Sequence, residues 1–164
     1  MTPAGLWPWR AWGLGSLAVA VLDGLDAVVF FGLRGVKPIR IFQAIASGVL
    51  GKASFAGGMR TALLGAALHV LIASLIVGTY VAISRRVRTL AERPLLWGPL
   101  YGIAAYLVMN LVVVPLSLAA NNPKPTAVVV NGVLIHVLGV GIPAALAAWA
   151  ARRGWERPLT MSRD

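Results

Sequence analysis

Apolar side chains run through this chain in four long blocks, set apart by short polar or basic breaks. Between Arg10 and Arg34 the only charged residues are Asp23 and Asp26, and the three later blocks carry no Asp, Glu, Lys or Arg. Each block has the roughly 20 residues that a helix needs to cross the hydrocarbon core of a bilayer. The pattern predicts membrane-spanning helices over about Ala11–Leu33, Thr61–Ile83, Leu95–Leu118 and Thr126–Ala150. The fold class expected is therefore all-α, an integral membrane four-helix bundle forming a single transmembrane domain. Arg10 followed by an apolar run with Ala18-Val19-Ala20 has the look of a secretory signal. The run continues well past that point, so it is expected to stay as a span.

The first break, Arg34 to Arg60, is too long for a simple turn. Pro38 is placed to open a short helix over about residues 38–50. Ile41, Phe42, Ile45 and Val49 then share one face, giving an amphipathic segment on the outer surface or dipping partly into the bilayer. Gly48 to Ser54 has a passing likeness to a phosphate loop. It has Ala46 where that motif needs glycine, and no strand precedes it, so nucleotide binding is rejected.

Composition narrows the class further. With 59% hydrophobic and 12% charged residues and a mean hydropathy of +0.80, the chain has too much apolar surface for a water-soluble domain of this length. No room is left for a separate soluble domain. The net charge of +10 would point to nucleic acid in a soluble protein. Here the arginines sit at the ends of apolar runs, where they act as orientation signals and headgroup contacts, so no nucleic-acid partner is expected. The absence of cysteine excludes disulfides, thiolate zinc sites and Fe–S clusters.

Four spans put both termini on one side. That side carries Arg10, Arg85, Arg86, Arg88, Arg93, Arg152, Arg153, Arg157 and Arg163. The other carries Arg34, Lys37, Arg40, Lys52, Arg60 and Lys124. The positive-inside rule then favours cytoplasmic termini. All six tryptophans (Trp7, Trp9, Trp12, Trp97, Trp149 and Trp155) fall at the terminal side, whereas Phe30, Phe31, Phe42 and Phe55 fall at or near the opposite one. Indole favours the headgroup layer, being apolar in its ring and polar at its N–H.

The second and fourth spans share a pattern. Gly65, His69, Val70, Leu71, Arg85 and Arg86 recur at constant offset as Gly132, His136, Val137, Leu138, Arg152 and Arg153. This is expected either from a parallel two-plus-two helix-pair repeat or from chance between apolar helices. Small residues mark close helix approach, above all the Gly98-x-x-x-Gly102 motif, with Gly65 and Gly132 on the repeated helices. Pro115 and Pro143 are expected to kink their helices.

Polar residues at membrane depth are costly and so tend to face protein or water. The candidates for ligand or proton binding are Asp23, Asp26, His69, Asn110 and His136. At about 1.5 Å per residue, all five fall in one layer displaced away from the termini. Asp23 and Asp26, three residues apart, are expected to share a helix face, with a histidine or a proton relieving their repulsion. Two readings stand side by side: a site for a proton, metal or polar ligand, or hydrogen bonds that fix helix packing. His69 and His136 on different helices also raise axial ligation of haem b, although nothing requires a cofactor or a metal. No nucleophile–base set, zincin helix or glycine-rich nucleotide motif is present, so no enzyme is expected.

The stretches Val21-Leu22-Asp23-Gly24-Leu25-Asp26, Ile41 to Gly51, and Tyr106-Leu107-Val108-Met109-Asn110 followed by Val114-Pro115-Leu116-Ser117 resemble a group of small uncharacterised bacterial membrane proteins. That group is in turn loosely similar to the YagU-like inner-membrane family. The resemblance covers about residues 13–153 and implies four helices in a bacterial inner membrane with cytoplasmic termini. It carries no reaction or ligand.

The leading functional expectation is a structural or accessory subunit that packs against other membrane chains or its own copies. The alternative is a small proton-linked transporter, or a binder of haem, quinone or lipid, using the Asp/His/Asn layer. A cavity reaching Asp23 would favour the alternative; a dry, packed layer would count against it.

Overall fold

The structure, a computed structural model, describes residues 8–120 and 122–155. Trp7, Arg157, Arg163 and the side chain of Trp155 lie outside the described residues. Among the described residues six helices follow one another: α1 Pro8–Gly32, α2 Pro38–Leu50, α3 Gly58–Ser84, α4 Arg88–Glu92, α5 Pro94–Leu116 and α6 Thr126–Arg153. A 3₁₀ turn, Gly51–Ala56, joins α2 to α3, and there is no strand among the described residues. The protein is thus an all-α four-helix bundle, in which α1, α3, α5 and α6 are long and apolar enough to cross a membrane. Their ends depart slightly from the predicted ones, α1 starting at Pro8 rather than near Ala11.

Local chemistry sets several of these boundaries. Pro38 and Pro94 stand in the first turns of α2 and α5, where the missing N–H costs nothing and the fixed φ suits a helix. Gly51 and Gly58, at φ 57 and 59, turn the chain out of α2 and into α3 through backbone space that side chains rarely enter.

The long helices alternate in direction, so α1 begins where α6 ends. Ala11, Leu14, Ala147 and Ala150 line one shallow groove there. This end is called the terminal face and the other the distal face. The terminal half is a dry core built on small side chains: Val19, Ala20, Ala73, Val77, Tyr80, Val140, Ala144 and Ala148 are all buried. Its few polar groups bond across helices. The Tyr80 hydroxyl donates to the Leu90 carbonyl at 2.9 Å, and the Tyr101 hydroxyl to the Ile76 carbonyl at 2.7 Å. The Trp12 indole N–H donates to the Ser74 carbonyl at 2.9 Å.

Both α5 and α6 loosen into one π-helical turn, at Met109–Val113 and His136–Gly141. The two prolines expected to kink these helices account for both turns. A proline ring clashes with the carbonyl four residues earlier. For Pro115 and Pro143 those carbonyls belong to Leu111 and Gly139, inside the two π turns. Widening the turn there relieves the clash.

The α6 turn is also where α5 comes closest. A Cβ added at Gly102 would fall on the His136 carbonyl, and one at Gly98 would lie 3.0 Å from both the Gly141 carbonyl oxygen and the Ile142 Cα. A Cβ at Gly132 would lie 2.7 Å from the Tyr106 ring, and one at Gly65 would fall on the Phe42 carbonyl of α2.

That last contact changes the picture of α2. Rather than lying free on an outer surface, α2 packs along the distal part of α3. Its Leu50 end reaches the distal end of α5, where the Leu118 N–H donates to the Gly48 carbonyl at 3.0 Å. Its buried residues are Ile41, Gln43, Ala46 and Ser47, whereas Val49 is 56% exposed. Of the apolar face Ile41, Phe42, Ile45 and Val49, only Ile41 is buried, because the backbone approach at Gly65 brings the small side chains of α2 against the bundle. The repeat has a matching limit. α3 is regular throughout, with no π turn at His69 to correspond to the one at His136.

Replacing Gly102 by Val should destabilise the bundle by about 2 kcal/mol or more, since backbone rather than a flexible side chain blocks the new methyls. Gly13→Val, with nothing within 4 Å of an added Cβ, should change stability far less. Thermal unfolding of both variants in the same nanodiscs checks the contrast.

Candidate functional site

Above the dry core the helices separate around a cavity of about 510 Å³. One stripe of α1 supplies Val19, Asp23, Ala27 and Phe31, spaced four residues apart and hence stacked along one face. His69, Ile72 and Ile76 come from α3, Met109, Asn110 and Val113 from α5, and His136 and Val140 from α6. α2 adds Arg40, Ile41, Ala44, Ile45 and Gly48. The wall is therefore apolar over most of its area and polar in one band. Val19, Ala73 and Val140, members of the buried core, form the end nearest the terminal face.

Four of the five residues singled out from the sequence line this space: Asp23, His69, Asn110 and His136. Asp26 does not. It accepts a hydrogen bond from Asn131 Nδ2 at 2.7 Å, which ties α1 to α6. A separation of three residues turns a helix side chain by about 60°, enough to send the two carboxylates to different neighbours.

Hydrogen bonds fix the tautomers of both histidines. His69 Nε2 lies 2.9 Å from the Ala20 carbonyl, which can only accept, so Nε2 carries a proton. His69 Nδ1 then faces Asp23 Oδ2 at 3.9 Å. His136 Nδ1 lies 2.9 Å from the Gly132 carbonyl and carries its proton for the same reason. Nε2 is the nitrogen left over, on a ring that lines the cavity and meets the Tyr106 ring edge-on at 5.4 Å. Asn110 is satisfied on both sides: its Nδ2 donates to the Tyr106 carbonyl at 2.9 Å, and its Oδ1 accepts from the Lys124 ammonium.

Three contributors were not anticipated. Arg40 lines the cavity while its guanidinium donates to the Phe55 carbonyl at 3.0 Å. It had been counted as one more distal cation, because nothing local shows that α2 folds back over the bundle. Lys124, also among the distal cations, folds back from the α5–α6 connection onto Asn110. Asn131 meets the criterion that singles out Asn110, a polar amide in an apolar run, and the sequence reading does not include it.

The geometry does not suit a bis-histidine haem. Both His69 nitrogens are directed at Ala20 and Asp23, which leaves one ring nitrogen, His136 Nε2, for a metal. Nor is any group of three or more His, Asp or Glu side chains among the described residues placed to hold a metal ion. No protein-family model, curated protein or solved structure matches the chain. The likeness to YagU-like proteins accordingly rests on the quoted stretches alone, and the site is interpreted from its own geometry.

Asp26 and Asn131 should behave as a structural pair. A double-mutant cycle with Asp26→Asn and Asn131→Ala should give a coupling energy of about 0.6–1.7 kcal/mol, the range for interhelical hydrogen bonds in membranes. Pairing Asp23→Asn with Asn131→Ala should give additive effects within about 0.5 kcal/mol. Unfolding of the four single and double variants in mixed micelles measures both.

Proposed function

We propose that this chain is a multi-pass protein of a bacterial inner membrane, with cytoplasmic termini, that binds a small amphipathic molecule between its helices as a proton-linked carrier. The observation that carries this reading is the cavity of about 510 Å³ reaching Asp23, His69 and His136. Its volume lies within the roughly 300–1,000 Å³ of ordinary ligand sites, and its mix of apolar wall and few polar groups is the usual composition of such sites. The outer surface supports the membrane setting. Leu17, Leu25, Leu63, Leu75, Leu111 and Leu138 are each at least 57% exposed, and water would not tolerate so much leucine facing outward.

The buried core residues Val19, Ala73 and Val140 close the cavity at its terminal end. A carrier of this design loads from the distal side and must part the α1–α3–α6 core to release on the other. Part of the small-residue pattern behind the accessory-subunit reading is used within the chain. Gly65, Gly98, Gly102 and Gly132 all face partners within the same chain and are not free to receive another.

Ala27 lies one helical turn from Asp23 on the cavity wall, so Ala27→Phe fills the space and leaves every polar side chain of the wall in place. In nanodiscs, a screen of small amphipathic amines, acids and quinones should yield compounds that raise the wild-type Tm by several degrees. The same compounds should leave the Tm of Ala27→Phe unmoved. Failure of every compound on the wild type, or equal shifts in the variant, overturns the reading.

A further inference from the structure

The histidine tautomers give the polar band of the cavity a single hydrogen-bonding sense. With Nε2–H of His69 spent on Ala20 and Nδ1–H of His136 spent on Gly132, the remaining nitrogen of each ring, when neutral, presents a lone pair. The Asp23 carboxylate, the one acid on the wall, adds further acceptor positions and has no hydrogen-bond donor within reach among the described residues. Its one ion-pair partner there is His69, which compensates it only when protonated.

The cations nearby are engaged elsewhere. Arg40 on α2 bonds the Phe55 carbonyl and the Gln43 side chain, and Lys124 bonds Asn110 on α5. Asp26, on the same helix as Asp23, is bonded to Asn131 of α6. A carboxylate within an apolar wall, with acceptors beside it and neither Arg40 nor Lys124 paired to it, needs either a proton or a cationic occupant.

We propose that the cavity takes a primary ammonium ion on an apolar body, bound by Asp23 and the free nitrogens of His69 and His136, in exchange for one proton. This rests on the cavity being a binding site. An ammonium carries three N–H donors, matching the three acceptor groups, whereas an alcohol offers one and a carboxylate none. The apolar body lies along Ala27, Phe31 and Ile72.

No covalent bond forms. The proton that neutralises the Asp23 carboxylate in the empty cavity leaves to water, and the ammonium takes its place as the counterion of the carboxylate. The charge in the cavity is the same before and after. The sign of the pH effect follows: protons compete with the cation, so ammonium affinity falls toward tenfold per pH unit as the medium is acidified. An anion held by protonated histidines would show the opposite trend.

Phenethylammonium, phenethyl alcohol and phenylacetate share one apolar body and separate these cases. Calorimetric titration of each into the protein in nanodiscs, in two buffers of different ionisation heat, reads affinity and proton count together. The ammonium should bind tightest and release close to one proton per ligand bound. Asp23→Asn should weaken it by about 30-fold or more, as for loss of one partner from a desolvated charge pair, and abolish the release. If that variant does not fold, the wild-type proton count and pH trend decide alone. Equal or tighter binding of the alcohol or the carboxylate, or no proton release, overturns the ammonium assignment. Should the alcohol bind in a manner that Ala27→Phe abolishes while the ammonium does not bind, the assignment falls and the binding cavity stands. If Ala27→Phe alters binding of none of the three, both fall.

Discussion

Helix α5 meets helix α6 backbone to backbone, glycine against glycine, and the rest of the distal half is arranged around that contact. Gly98 and Gly102 approach the turn from His136 to Gly141 so closely that no side chain fits between. In an apolar solvent there is no hydrophobic drive to bring helices together, so close van der Waals contact of this kind does the work. The turn it grips is a π turn, widened because Pro143 cannot accept a regular α-helical carbonyl beneath its ring. His136 stands at the head of that turn, and Asn110 lies in the matching turn before Pro115. Helix packing, proline strain and the placing of two polar side chains are thus one feature.

The bundle is asymmetric along its length, and the asymmetry has a simple cause. In the terminal half, alanines and valines let α1, α3 and α6 close on one another, and tyrosine hydroxyls cap carbonyls that would otherwise face an apolar medium. In the distal half α2 inserts against α3 at Gly65, and its Gly48 carbonyl binds the end of α5. A helix wedged into one end of a bundle holds that end apart. The cavity is the space it holds open, with the polar band at its inner part and Arg40 where α2 crosses.

Within that band, the backbone settles the chemistry as much as the side chains do. The Ala20 and Gly132 carbonyls each take one N–H of a histidine and so dictate which nitrogen is left for another partner. A pair of histidines in another tautomer would present donors and suit an anion. In the tautomers seen here the neutral rings offer acceptors beside a carboxylate, and the proposed ligand chemistry rests on that sense.

Four apolar runs were enough to read off a helical bundle, because a span needs little beyond length and hydrophobicity, and both are written locally. The five polar residues stood out for the same reason: each interrupts a run. Their grouping was another matter. Asp23 and Asp26 look equivalent on a helical wheel, yet one enters the cavity and the other binds Asn131, since a rotation of about 60° decides which neighbour each meets. The face that α2 buries, the π turns and the tautomers of His69 and His136 likewise depend on atoms contributed by distant segments: Gly65 against Phe42, Gly102 against His136, and the Ala20 carbonyl against His69. Hydrophobicity is a property each residue carries alone, whereas a cavity and the direction of its hydrogen bonds exist only once separate helices have been brought to one place.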